Sequence, residues 1–405
     1  MSLASSSPDK HSRDGEKRLR IAVLNRAFST TGGGAEHYSV ALVEQLACRH
    51  EIHVFAQEID HAWPGVHYHQ VSSPLPKPRW VNQLWFAART WILTRRGFDV
   101  VHSHENTWHG NVQTVHVLPV KYNLFKRPKG WRLFVNWFKT VTSPRLLVYL
   151  GLEHFRFALR ANKKIVVTSD TLRSVLEMTY PVCKEMISVI TPGITMPLLP
   201  ATRLRKEAAR ARLGLPLEGH CILFVANDFQ KKGLETLLKA LALCPVGFVL
   251  AVVGNNSQQG FYAEVARKLM LRGRVFFIGT LKDLAPAYEA ADCLAHPTLE
   301  DTFAMVVLEA MSHSLPVVVS NPNYCGISSL LQNGINSWIV SDPTDASELH
   351  NALEVVLGPT FDRVGMGKLA QEFAGEFQWL NLARAQEYLY RKVTSKDQTD
   401  GGGLR

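Results

Sequence analysis

Two kinds of hydrophobic pattern alternate along this chain. Short unbroken apolar runs, such as Ile21-Ala22-Val23-Leu24 and Leu250-Ala251-Val252-Val253, predict strands covered on both faces. Longer stretches with an apolar residue every three or four positions predict helices lying on a sheet. In the first half the strands fall at 20–25, 51–56, 66–71, 100–104, 113–117, 164–168 and 188–191, and the helices at 36–48, 81–94, 147–161 and 172–179. In the second half the strands fall at 221–226, 248–253, 275–278, 293–296, 316–320 and 338–340. The helices there fall at 234–243, 262–271, 284–290, 305–313 and 346–357. Strands alternating with helices specify an α/β protein with parallel sheets. The two halves repeat one architecture, so the expected fold is two Rossmann-like, doubly wound domains facing each other across a cleft.

Between the halves, Pro192-Gly193 to Pro197, Pro200 and a basic stretch to Pro216 read as a linker plus one helix. The resulting organisation is a polar, Ser-rich, disordered arm at 1–19, a first domain at 20–195, and a linker with a second domain at 196–376. A helix follows at 377–394, then a disordered tail at 395–405. The length allows two substantial cores. The start carries no apolar signal segment, and no apolar run reaches the roughly 18 residues of a membrane span. The six scattered cysteines, with no Cys-x-x-Cys pair, read as free thiols of a reducing compartment rather than disulfides or metal ligands. A cytoplasmic protein is the expectation.

Charge sharpens this picture. The net charge of +10 favours nucleic acid, acidic membrane or phosphorylated substrates alike. No nucleic-acid motif is present, which sets the first aside. In 80–96 and 121–139 aromatic residues (Trp131, Phe134, Trp137, Phe138) interleave with Lys126, Arg127, Lys129 and Arg132. That mixture suits the lipid headgroup region, where rings insert and cations meet phosphates. It equally suits amphipathic helices with a basic outer face.

The candidate chemistry lies just after strands, where ligands of such sheets bind. The segment His296 to Met311 holds Asp301 before a helix start and Glu309 eight positions later, a helical step of roughly 12 Å. A loop entering a helix collects free N–H groups and the positive dipole end, a natural anion site. The same acids also fit a helix cap and an exposed helix glutamate. Thr30-Thr31-Gly32-Gly33-Gly34-Ala35-Glu36 opens a helix after the first strand but lacks the dinucleotide-binding spacing, and a plain turn fits it as well. His116, at the end of 113–117, is a candidate site residue or a structural hydrogen-bonder. His102, His104 and Glu105 are acceptor-side or structural candidates. A zinc site from His102, His104 and His109 lacks a completing ligand. In Asn227-Asp228-Phe229-Gln230-Lys231-Lys232-Gly233, adjacent lysines at a loop suit a diphosphate leaving group, or a solvated loop.

The paired acids, the following Ser314-Leu315-Pro316-Val317-Val318-Val319-Ser320 and the Lys-Lys-Gly loop resemble those of retaining family-4 glycosyltransferases of the GT-B fold. Within that family they resemble the lipopolysaccharide-core glucosyltransferase I type. The resemblance spans about 20–390 and is strongest in the second half. It implies a nucleotide-sugar donor, UDP-sugar in this subgroup, held by the second domain, and a glycan or glycolipid acceptor on the first, at the inner face of the cytoplasmic membrane. It implies that Gly33 and Gly34 lie by the donor phosphates and His116 by the donor sugar. Lys231 and Lys232 would meet the diphosphate, and Thr302, Phe303, Ala304 and Met305 would offer it N–H groups. Asp301 would hold sugar hydroxyls and Glu309 the ribose, with the C-terminal helix crossing back to the first domain. Three departures stand out: Asp301 replaces the usual Glu, Ala304 a common Gly, and Lys231 an arginine. No Asp-x-Asp pair occurs, so no metal or other cofactor is expected. Two other readings remain open: an epimerase or phosphorylase of the same fold, and a non-catalytic membrane-associated protein with a decayed pocket.

Overall fold

A computed structural model describes residues 17–29, 33–75, 77–128, 130–198 and 202–395. Thr30, Thr31 and Gly32 of the glycine loop, most of the N-terminal arm, Lys129 and the tail from 396 lie outside the described residues. Two residues assigned to the termini belong to the fold. Leu19 is buried, its N–H donating to the His50 ring, and Ser395 ends the last helix.

The first lobe runs β1 (Arg20–Leu24), β2 (Ala27–Phe28), α1 (Gly34–Leu46), β3 (Glu51–Ala56), β4 (Glu58–Ile59), β5 (Val66–Gln70) and α2 (Arg79–Thr94). It continues through β6 (Val100–Ser103), β7 (Val112–Val115), α3 (Trp131–Thr142), α4 (Pro144–Phe157), β8 (Lys164–Val167), α5 (Asp170–Thr179) and β9 (Ile187–Val189). The second runs α6 (Arg203–Leu213), β10 (His220–Ala226), α7 (Leu234–Leu243), β11 (Phe248–Gly254), α8 (Gln259–Lys268), β12 (Val275–Gly279), α9 (Ala285–Ala290) and β13 (Cys293–His296). It ends with α10 (Met305–Ser312), β14 (Val317–Ser320), β15 (Trp338–Val340), α11 (Ala346–Leu357), α12 (Arg363–Gly375) and α13 (Trp379–Ser395).

Each lobe is built on one parallel sheet, in the orders β5-β3-β1-β6-β7-β8-β9 and β12-β11-β10-β13-β14-β15. In both, the chain winds outward from the first strand, then returns to that strand's other side. This leaves a switch point between β1 and β6 and another between β10 and β13, where carboxyl-terminal loops part to admit a ligand. The central strands are buried on both faces because helices cover both; Ile222, Phe224, Leu250 and Val252 pack on one face of the second sheet, Leu223, Val253, Leu294 and Leu308 on the other.

Sequence and structure differ locally. β7 stops at Val115, so His116 is the first residue beyond the strand, not within it. α4 starts at Pro144, whose fixed φ suits a first turn, and ends at Phe157 rather than 161. α12 escapes the periodicity because Gly365, Gly367 and Gly375 dilute it. Gly367 lies so close to the Ser314 carbonyl that a Cβ would come within 2.2 Å of it. α3 points Trp131, Phe134, Trp137, Phe138 and Val141 into solvent.

α13 leaves the second lobe and packs on the first, where Leu382, Leu389, Tyr390 and Val393 join Tyr38, Leu42 and Val100 in one core. The two chain crossings between the lobes touch. Ile194 N–H donates to the Phe377 carbonyl at 2.6 Å, and Ile194 pairs with Gln378. Gly193 has no room for a side chain there, since a Cβ would lie 2.7 Å from the Trp379 backbone.

Candidate functional site

The loops after β2, β7, β10 and β13 converge between the lobes. A hollow of about 470 Å³ is lined by Gly33, Gly34, His116, Lys231, Lys232 and Asp301, with Thr302, Phe303, Ala304 and Met305 along one wall. A second, of about 370 Å³, holds Glu309, Tyr288, Gly254, Thr280 and Leu281. The two share Gly33, Gly34, Asn227, Met305 and Val306, so they form one cleft with Lys232 and Glu309 at separate stations along it. A larger hollow of about 640 Å³ lies beside α6 and α12, shares Tyr288 and His313 with the second, and contains none of the predicted site residues.

Lys232 is held above the end of β13. Its Nζ donates to Asp301 Oδ2 at 2.6 Å and to the Glu300 carbonyl at 2.8 Å. The turn that places it depends on Gly233, at φ 77°, where a Cβ would fall 2.0 Å from the Pro297 carbonyl. Lys231 pairs with Glu300 at 3.2 Å, and Arg127 of the first lobe pairs with the same carboxylate across the cleft.

Asp301 does not sit one straight helical run from Glu309. α10 begins only at Met305, and residues 301–304 form a turn closed by Ala304 at φ 73°. Asp301 Oδ1 accepts the Ala304 N–H at 2.8 Å and the Phe303 N–H at 3.3 Å. Two of the four amides assigned to a ligand diphosphate are therefore taken by this carboxylate, which serves the turn as a cap. Its other oxygen meets Lys232 and, at 3.2 Å, His296 Nε2. Burial opposes the Asp301 charge, but Lys232 and His296 more than offset it and hold the carboxyl well below the usual range. Asp301 is thus ionised at neutral pH.

Glu309 lies on α10, with Oε2 accepting the Tyr288 hydroxyl at 2.6 Å. Burial, and then the Glu309 charge, push the Tyr288 phenol well above its ordinary value, so it stays a donor. Opposite, His116 shares a hydrogen bond of 3.0 Å with His104 and meets the Tyr38 ring edge-on at 5.1 Å. Burial, with Arg156 nearby, lowers His116 to about 3, so it is a neutral imidazole. His102 uses both ring nitrogens, on Tyr390 and Thr114, while His109 faces Thr90. These three histidines do not converge on one point as the zinc alternative required. Glu105 pairs with Arg26, away from the cleft.

The lobes meet at Thr302. Its Oγ1 donates to the His116 carbonyl at 2.7 Å, and its own carbonyl accepts from Ser169 Oγ at 2.6 Å. Gly34 faces Met305, whose Cγ would lie 3.4 Å from a Cβ there. Sequence reasoning missed His296, Tyr288, Arg127 and Ser169. His296 had a visible signal, a polar residue closing an apolar strand at the head of the acidic segment. The other three are brought in only by the fold. The six cysteines carry no disulfide, five of them being buried.

Two family models divide the chain between them: "Glycosyltransferase Family 4" over residues 32–196 and "Glycosyl transferases group 1" over 205–371. Among curated relatives, the D-inositol 3-phosphate glycosyltransferase of Corynebacterium urealyticum is 28% identical over 242 residues, 56% of this chain and 56% of that one. The lipopolysaccharide glucosyltransferase WaaG of Escherichia coli is 25% identical over 232 residues, 56% of this chain and 61% of that one. The chain thus spans a little over half the length of the curated relatives it matches. The crystal structure of WaaG, a glycosyltransferase involved in lipopolysaccharide biosynthesis, superposes with a TM-score of 0.79 at 21% identity, covering 92% of this chain and 99% of that one. With one family matched in each lobe and the GT-B fold shared, the chain belongs to the family-4, group-1 glycosyltransferases.

Proposed function

We propose that this protein transfers a hexose from a UDP-sugar to an envelope glycan or glycolipid, such as lipopolysaccharide core, with retention at the anomeric carbon. The carrying observation is the single cleft that has the Lys232–Asp301 pair at one station and the Tyr288-held Glu309 at another. Glu309 accepts the ribose hydroxyls, for which a carboxylate offers two acceptor oxygens. Lys232, Lys231 and the start of α10 neutralise the diphosphate, so transfer needs no metal. Asp301 takes hydroxyls of the sugar, and His116, neutral, contacts it from the other lobe. The acceptor hydroxyl oxygen bonds to the anomeric carbon as the bond to the diphosphate breaks. The departing phosphate oxygen takes the acceptor's proton, and UDP leaves.

The names of the relatives give two kinds of acceptor, an inositol phosphate and lipopolysaccharide. The outward aromatic face of α3, flanked by Arg132 and Lys139, supports a lipid-linked one and a protein seated on the inner face of the cytoplasmic membrane. No helix among the described residues is long and apolar enough to cross a membrane. A titration of sugar nucleotides against thermal stability identifies the donor, since bound donor stabilises the folded state. Lys232→Ala and Glu309→Ala each cut UDP release in the presence of acceptor by about 10²-fold or more while circular dichroism stays unchanged. Full activity in both variants rejects the site. One observation favours a non-catalytic reading: both Asp301 oxygens are already engaged. A decayed pocket of that kind would give no stabilisation with any sugar nucleotide.

A further inference from the structure

At the amino ends of β1, β3 and β5, on the far side of the first sheet from the cleft, lies a polar cluster the transfer reaction does not use. Glu51 and His53 sit two apart on β3, so their side chains share a face. His67 and His69 do the same on the neighbouring edge strand β5, and parallel register sets His53 beside His67. Among the described residues, Glu51, His53 and His67 bring a carboxylate oxygen and two ring nitrogens within 4.8 Å of one another. We propose that Glu51, His53 and His67 form a binding site for a divalent transition-metal ion of the zinc type.

Two observations support it, and a third identifies the group an ion must displace. The first is the donor set. Two imidazoles and one carboxylate suit zinc, nickel or copper far better than magnesium or calcium, which prefer oxygen alone. The second is a partner for the buried ligand. His53 Nε2 faces Glu51 at 2.8 Å, while His53 Nδ1 lies 2.9 Å from His69 Nε2. His69 can therefore accept the other ring proton of His53 and fix its orientation, as neighbours of metal-bound histidines commonly do. The third is a positive group already drawn to the same atoms. Arg20 Nε lies 2.9 Å from Glu51 Oε1 and 3.4 Å from His53 Nε2. Its guanidinium also lies over the Phe98 ring at 5.1 Å, and Nη1 holds the Gly97 carbonyl at 3.1 Å. A metal must take both Glu51 and His53 from Arg20, which retains these two other partners when it turns aside. Ligand atoms around zinc stand about 3.3 Å apart, for bonds near 2.0 Å. His67 is exposed and can close the remaining distance by side-chain rotation. The ion would tie the edge strand to its neighbour, and solvent would supply the open coordination position.

The proposal is independent of the transferase reading. The test uses the full chain, dialysed against EDTA and titrated calorimetrically with zinc chloride, with magnesium chloride as control. One zinc per chain is expected, with a rise in melting temperature and no response to magnesium. His67→Ala and Glu51→Gln, both at accessible positions, should each weaken zinc binding at least tenfold and remove the rise. Arg20→Ala should tighten it, because the competing cation is gone. Cobalt substitution should give the visible absorption of a nitrogen- and oxygen-ligated ion of low coordination number, lost in His67→Ala. No zinc uptake by the native chain overturns the proposal, as does unchanged affinity in both His67→Ala and Glu51→Gln.

Discussion

Ala304 occupies backbone space that a side chain enters at a cost of roughly 1–2 kcal/mol. The strain lies in the turn that presents Asp301 to Lys232. Ala304→Gly should raise unfolding free energy by about 0.5–1 kcal/mol, after the greater freedom of glycine in the unfolded chain is subtracted, as urea denaturation would measure. Gly233→Ala acts in the opposite sense. Its Cβ would strike the Pro297 carbonyl, and a loss of about 3 kcal/mol or more is expected by the same measurement. The buried histidines set an acid limit. Burial lowers His102 to about 3 and His109 to about 4, and with help from its histidine neighbours holds His104 well down too. Unfolded histidine takes a proton near pH 6.5 and these folded ones do not, so the unfolded state binds more protons as pH falls. Stability is full above about 6.5 and drops by about 1.4 kcal/mol per histidine per pH unit from there towards pH 4. Thermal melts at pH 7.5 and pH 5 check this, and His109→Gln should flatten the slope. The acids and lysines at 231, 232, 301 and 309 were visible as chemistry in the sequence. Of their partners, His296 left a trace as a polar residue closing an apolar strand, whereas Tyr288 and Arg127 acquire meaning only when the fold brings them to a carboxylate.

At the scale of elements, the strands were legible because parallel sheets bury both faces and leave unbroken apolar runs, as in β10 and β11. The two-residue strands β2 and β4 carry too few positions for any period. α3 hid for a different reason: its apolar face looks outward, so its pattern signals amphipathicity without saying which side is covered. That face makes its own prediction. Phe134→Ser with Trp137→Ser should lower co-sedimentation with anionic phospholipid vesicles several-fold and leave transfer to a soluble acceptor fragment unchanged; equal binding by variant and native protein would remove α3 from membrane contact. α13 ties elements far apart in sequence, since the Tyr390 hydroxyl meets His102 Nδ1 at 2.6 Å beneath the His104–His116 pair. Tyr390→Phe should cost about 1 kcal/mol of stability.

At the scale of the whole molecule, the halves were legible as a repeat of one architecture, and the cleft followed from where such sheets bind ligands. The contacts across it were not, because Thr302, Ser169 and the His116 carbonyl are unremarkable residues until the lobes approach. The neighbouring crossings at Ile194 and Gln378 govern how that approach can happen. A single tether would let one lobe swivel, slide and twist against the other. Two crossings joined by a backbone bridge at Ile194 and Gln378 leave fewer such freedoms than one would. With the crossings joined in this way, the backbone itself holds Thr302 against the His116 carbonyl, and the register of the two cleft walls is set before any sugar arrives.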